Sequence, residues 1–224
     1  MRMRESGHVR RSNYALALLL ATLALATPGC VPGGTGSFMT PPTAPVDHAT
    51  VQPARVRKMG EDITLSYAPS GAELLAMGGN ITIARSTGYV AATTMGGDIV
   101  IDSLESGAHL QSNGGSIRLL LLPASTNEPR DLDLTVRGGN VRLILADPAS
   151  ATFDVELGYG HDERDRYAIE SDFPLMKTTS AWERSPTHLF RSRQHIKATG
   201  TVGNGRDHLR IRVEGGMVYL TRRP

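Results

Sequence analysis

From about residue 55 onward apolar and polar residues alternate, and a pair of glycines interrupts the alternation at a fixed interval. The chain reads Met77-Gly78-Gly79-Asn80-Ile81-Thr82-Ile83, then Met95-Gly96-Gly97-Asp98-Ile99-Val100-Ile101, then Asn113-Gly114-Gly115-Ser116-Ile117-Arg118-Leu119, a repeat of about 18 residues. Aligned on the glycines, the positions two, four and six residues upstream are Ala76, Leu74 and Ala72, then Thr94, Ala92 and Val90, then Ser112, Leu110 and Ala108. Val136, Leu134 and Leu132 stand in the same phase before Gly138-Gly139. All are small or apolar, whereas the positions between them are mostly polar, as with Glu73, His109, Gln111, Asp133 and Thr135. Downstream the inward pairs are Ile81 and Ile83, Ile99 and Ile101, Ile117 and Leu119, and Val141 and Leu143. A period of two is that of a half-buried strand, so each repeat predicts strand, glycine turn, strand. Reversals this tight call for positive φ, which suits the glycines, and Asn80, Asp98, Ser116 and Asn140 after them are turn formers.

One such unit buries too few side chains to offset the entropy of ordering its backbone, so the units are expected to stack. The predicted fold is all-β: a single-domain β-solenoid, or β-helix-like stack, of short strand–Gly-Gly–strand rungs. A hexapeptide left-handed helix needs an aliphatic residue at every sixth position, and the series Ile81, Thr87, Thr93, Ile99, Glu105, Gln111, Ile117 fails that requirement. The calcium-binding nonapeptide repeat needs a further glycine and an aspartate after Gly-Gly-x, where an aliphatic residue stands instead.

The flanks of the repeat are less regular. Arg55 to Tyr67, with Ile63, Leu65 and Tyr67 in phase, predicts a strand that caps the stack. Pro123 to Arg130 is a polar insertion. Phe153, Val155 and Leu157 alternate as another strand, Gly158 to Arg166 reads as a charged loop, and a less periodic excursion holds Trp182 and Phe190. The pattern returns with Leu209, Ile211 and Val213 before Gly215-Gly216, followed by Val218 and Leu220.

Residues 1–29 have a basic head, the apolar run Ala15 to Ala26, and small residues before Cys30, the order of an export signal too short to span a bilayer as a lasting helix. Ala24-Leu25-Ala26 offers an ordinary cleavage site, whereas Gly29-Cys30 resembles the lipobox of bacterial lipoproteins, in which the cysteine becomes the lipidated first residue. Cys30 is the only cysteine and so makes no internal disulfide. Residues 30–54 are rich in Pro, Gly, Thr and Ser and read as a flexible tether, leaving 55–224 as the repeat domain.

The glycine rungs, the segment Ile169-Glu170-Ser171-Asp172-Phe173-Pro174-Leu175 and the late Gly200-Thr201-Val202-Gly203-Asn204-Gly205 before Leu209-Arg210-Ile211 resemble the bacterial adhesin β-strand-repeat family, a domain family of unknown function. The likeness covers roughly Arg55 to Arg222. It implies a β-solenoid in an exported or envelope-facing protein, with no catalytic residues to carry over.

Composition narrows the function further. Aromatic residues are only 5% of the 224, which suits a layered aliphatic interior. The basic excess sits in the leader, at Arg2, Arg4, Arg10 and Arg11; without residues 1–30 the chain carries 20 basic against 21 acidic side chains, which argues against nucleic acid as a partner. His161-Asp162-Glu163-Arg164-Asp165-Arg166 interleaves carboxylates with arginines and reads as a solvated loop rather than a metal site. His188, His195, His109 and His208 read as surface histidines. No nucleophile elbow, phosphate loop or dinucleotide fingerprint is present. Trp182, Arg184, Phe190, Arg191 and Arg193 form either a binding patch for glycan or an anionic surface, or a cap over the last apolar layer.

The expectation is therefore an exported cell-envelope protein, an outer-membrane lipoprotein anchored through Cys30 or else periplasmic or secreted. It has no cofactor and acts without catalysis as an adhesin-like binding or structural module toward glycan, surface or envelope proteins. A polysaccharide-active β-helix enzyme and an envelope-stress sensor or scaffold are the alternatives.

Overall fold

The computed structural model describes residues 52–160, 166–184 and 192–224. The described chain is all-β, with no helix, and its strands form two mainly parallel sheets. Each glycine pair is a corner at which the chain leaves one sheet and enters the other. The first sheet receives β1 (Ala54–Lys58), β3 (Ala72–Ala76), β5 (Val90–Thr94), β7 (Ala108–Ser112) and β9 (Asp131–Arg137). The second receives β2 (Ile63–Leu65), β4 (Ile81–Ile83), β6 (Ile99–Leu104), β8 (Ile117–Leu121) and β10 (Val141–Ala146). A rung is one strand of each sheet with the corner between them. Such stacking is compatible with a β-helix or solenoid-like fold.

The parallel register equals the sequence period. Ala72 pairs with Val90 and Val90 with Ala108, while Ile63 pairs with Ile81, Ile81 with Ile99 and Ile99 with Ile117. Equivalent side chains consequently stand in columns, and the inward columns of both sheets merge into one apolar core. Ala68, Ser86 and Leu104 are joined by isolated parallel bridges on the return side of the first rungs. The hydroxyl of the buried Ser86 donates there to the Ala68 carbonyl at 3.0 Å.

The segment from Arg55 to Tyr67 is a complete rung, β1 with β2, where one capping strand was expected; its corner is Gly60-Glu61. The first strand starts at Ala54, one residue inside the expected tether. The predicted loop at Gly158 also proves shorter, because β11 (Ala151–Gly160) runs straight through Gly158 and pairs on both sides.

The last strands do not close the stack. β16 (Asp207–Glu214) lies between β9 and β11, and β17 (Val218–Arg223) lies between β10 and β12 (Ile169–Ser171). The final rung of the sequence is thus inserted between the fifth and sixth rungs in chain order. Beyond β11 the direction reverses: β15 (Ser192–Val202) pairs antiparallel with β11, and both β13 (Met176–Thr179) and β14 (Glu183–Arg184) pair antiparallel with β15. The inward column that begins at Ala54 and Ala72 passes through Leu132 and Leu209 to Phe153, so its side chains enlarge toward this end. Phe173, 4% exposed, lies with its ring centroid 5.1 Å from that of Phe153 and closes the apolar layer. The segment around Phe173, marked in the sequence only by its family resemblance, covers the end of the core.

Candidate functional site

The predicted turn glycines occupy the corners, but their physical role differs from the expected one. Only Gly138 and Gly215 among them have positive φ, at 79° and 72°. Gly78, Gly96 and Gly114 are open outward, with nothing nearer to a built Cβ than 3.4 Å. The second glycine of each pair meets the previous rung instead. A Cβ on Gly79 would lie 2.1 Å from the Glu61 carbonyl oxygen, and one on Gly97 2.2 Å from that of Gly79. On Gly115 it would lie 2.3 Å from the Gly97 oxygen, on Gly139 2.3 Å from that of Gly115, and on Gly216 1.8 Å from that of Gly139. Close backbone approach between rungs, more than left-handed backbone, demands glycine here. Among the described residues no rung precedes that of Glu61, which begins the column, and a side chain is accommodated.

The residue after each pair makes a second ladder. The Asn80 amide donates to Asp62 Oδ1 at 2.7 Å, the Asp98 amide to Asn80 Oδ1 at 2.9 Å, and the Ser116 amide to Asp98 Oδ1 at 2.7 Å. The Asn140 amide then donates to Ser116 Oγ at 3.1 Å and the Met217 amide to Asn140 Oδ1 at 2.8 Å. Thr94 and Ser112, inward and buried, donate to the Gly79 and Gly97 carbonyls at 2.9 and 3.0 Å and accept from the Gly97 and Gly115 amides. These side chains satisfy backbone groups that the chain reversal takes out of the strand ladders.

Of the expected aromatic and arginine patch, Trp182, Arg184 and Arg193 lie among the described residues. Trp182 stands edge-on to Tyr159, with ring centroids 6.0 Å apart, and Tyr159 donates its hydroxyl to Gln194 Oε1 at 2.9 Å. Arg193 pairs with Glu214 at 3.0 Å, joining β15 to the inserted strand. Arg184 pairs through its backbone with Ser192. Phe190, Arg191 and His188 lie outside the described residues, as do residues 161–165 of the charged loop and Cys30 with the whole leader. His195 is not a plain surface histidine. It is half-buried, with Nδ1 3.3 Å from Glu156 Oε1, because the absence of a side chain at Gly158 leaves room for its ring. His109 and His208 point outward as expected.

An open cleft of about 680 Å³ lies at the seam of β11, β13 and β15. Thr152, Asp154, Thr199 and Thr201 supply its polar groups, and Phe153, Leu175 and Met176 its apolar ones. On the outer face of the first sheet Asp133 faces two arginines, Arg210 at 3.9 Å and Arg212 at 3.7 Å, with His109 Nδ1 at 4.0 Å. Burial, then the charges of Asp133 and Asp131, push the nearby Tyr89 hydroxyl above its ordinary pKa. Among the described residues no group of three or more His, Cys, Asp or Glu side chains is placed to hold a metal ion.

One buried ion pair does not stand out in the sequence. Arg130 and Asp207, 8% and 2% exposed, occupy the inward phase at the heads of β9 and β16. Asp207 Oδ2 accepts from Arg130 Nε at 3.1 Å and from Arg130 Nη2, while its Oδ1 accepts from the Arg130 amide at 3.3 Å and from Arg206 Nε at 3.2 Å. Arg130 Nη1 is also satisfied, donating to the carbonyls of Leu122 at 2.7 Å and Glu105 at 3.2 Å. The available signal was opposite charge on the inward phase: Arg130 is in step with Leu132, and Asp207 with Leu209. Comparison with protein-family models, with curated proteins and with solved structures gives no match.

Proposed function

We propose that the chain is an exported β-solenoid, lipid-anchored at Cys30, that serves in the cell envelope as a non-catalytic, adhesin-like binding or structural module. The observation that carries this reading is the parallel stack itself. One parallel register carries β2 to β4 to β6, and each corner is fastened to the next by side chains that complete backbone hydrogen bonds. Such a body keeps its outer columns at fixed spacing and suits presentation of a surface. The leader and the tether-like composition before Ala54 support placement outside the cytoplasm.

Two measurements test the reading. The intact mass of the N-terminal peptide, extracted with detergent from native cells, is expected to show a diacylglyceryl-modified Cys30 as first residue. A free N-terminus at Thr27 with unmodified Cys30 overturns the anchor. Incubation of the purified chain with envelope polysaccharide is expected to release no reducing sugar, and sustained release would make the chain an enzyme.

A further inference from the structure

The residue before each corner glycine is methionine in the first three rungs: Met59, Met77 and Met95. The strands on one side of this position are in register, Lys58 with Ala76 and Ala76 with Thr94. On the other side, Cβ atoms built on Gly78 and Gly96 lie 3.9 and 4.0 Å from the Cα atoms of Gly60 and Gly78. The backbone remains bonded rung to rung at the methionines, Met77 N to Lys58 O at 3.0 Å and Met95 N to Ala76 O at 3.2 Å. The three side chains are therefore held one above another at about the 4.8 Å spacing of adjacent strands. All three are exposed, at 81%, 44% and 50%, and as neighbours in one column they form a contiguous apolar strip rather than scattered exposed residues. Asn113, which takes the same place in the fourth rung, donates from Nδ2 to Met95 Sδ at 3.4 Å, so that sulfur lies along the column.

Three uncharged thioethers at strand spacing, each on a flexible side chain, make a ligand set for a soft monovalent cation. Thioethers select Cu(I) over hard or borderline divalent ions, and three rotatable bonds per methionine allow the sulfurs to converge on one ion. We propose that Met59, Met77 and Met95 bind one soft cation of the Cu(I) or Ag(I) class at this corner. Binding is simple ligation and needs no electron or proton transfer. It is independent of the envelope role proposed above.

The test uses the full chain carrying Cys30→Ser, which removes the competing thiol, with ¹³C-labelled methionine methyls and anaerobic titration by Ag(I) and by Cu(I). The methyl resonances of Met59, Met77 and Met95 are expected to move together and to saturate at one equivalent. That of Met176, exposed at 74% but outside the column, should remain in place. Met77→Leu, an exposed near-isosteric change, is expected to leave the circular dichroism spectrum intact and to weaken binding by about tenfold or more. Absence of any shift at stoichiometric metal overturns the proposal. So does a shift of Met176 in parallel with the other three, or unchanged affinity in Met77→Leu.

Discussion

Gly96 and Gly97 are neighbours of identical chemistry with opposite demands on the space around them. A methyl group on Gly96 points outward, 4.0 Å from the Gly78 Cα, whereas on Gly97 it would meet the Gly79 carbonyl oxygen at 2.2 Å. Gly97→Ala is expected to destabilise the chain by about 3 kcal/mol or more, since backbone atoms of an adjacent rung must move. Gly96→Ala should stay within about 1 kcal/mol of the parent. Urea unfolding of the two variants checks the contrast. Asp207 is the other residue on which much depends. Burial alone would raise its pKa, but hydrogen bonds from Arg130 and Arg206, and their charges, outweigh burial and hold it below the ordinary carboxylate value. A depressed folded pKa contributes stability that is fully present above the unfolded value, about 3.9, and is lost as pH falls below it through the folded value. Asp207→Asn is expected to cost about 3–5 kcal/mol at neutral pH, because it leaves Arg130 charged and buried. Much of the parent's acid sensitivity below about pH 4 should disappear with it, as unfolding midpoints measured against pH would show.

At the scale of the rung, the corner ladder is the part that sequence reading recognised for its turn propensity and the structure assigns to inter-rung bonding. Each ladder side chain needs an acceptor oxygen and little else, which is why Asn80, Asp98, Ser116 and Asn140 all serve. Asp98→Asn keeps an oxygen for the Ser116 amide and is expected to be nearly neutral. Asp98→Ala removes it and should cost about 1 kcal/mol. Hydrogen exchange at the Ser116 amide separates the two variants, with faster exchange only in Asp98→Ala. Alternation of apolar and polar residues made the strands and their inward faces readable, because burial on one face leaves a period of two in the chain itself. The excursion after Tyr167 was not readable in this way. Its strand β13 is short and exposed, β14 has only two residues, and the pairing of both with β15 is antiparallel, so no repeat announces it.

For the whole molecule, the inserted rung makes the end of the sequence part of the interior of the stack. Leu209, Ile211 and Val213 pair with Leu132, Leu134 and Val136 on one side and with Phe153, Val155 and Leu157 on the other. Removing 207–224 would separate β9 from β11 and β10 from β12, and would leave Arg130 without its carboxylate. That truncation is expected to abolish cooperative unfolding, while removal of the first rung, residues 54–71, should leave a shorter stack that still unfolds cooperatively. Circular dichroism during urea titration checks both. In the parent, the amides of β16 and β17 should exchange far more slowly than those of β1, although both lie near ends of the described chain.

The sequence by itself determined the strand, corner and strand of each repeat, the phase of the core and the end-to-end stacking of the second to fifth rungs, since all of these follow from a period carried in neighbouring residues. Only the tertiary structure decided where the last rung goes. A periodic rung has a matching register at more than one place in a periodic stack, so hydrophobic phase alone does not choose among them. What distinguishes its place is the meeting of Arg130 and Asp207, 77 residues apart, and the seat of Leu209 between Leu132 and the larger Phe153. The role of the second glycine was decided there too, because its constraint comes from a carbonyl oxygen of another rung and leaves no mark on the local chain.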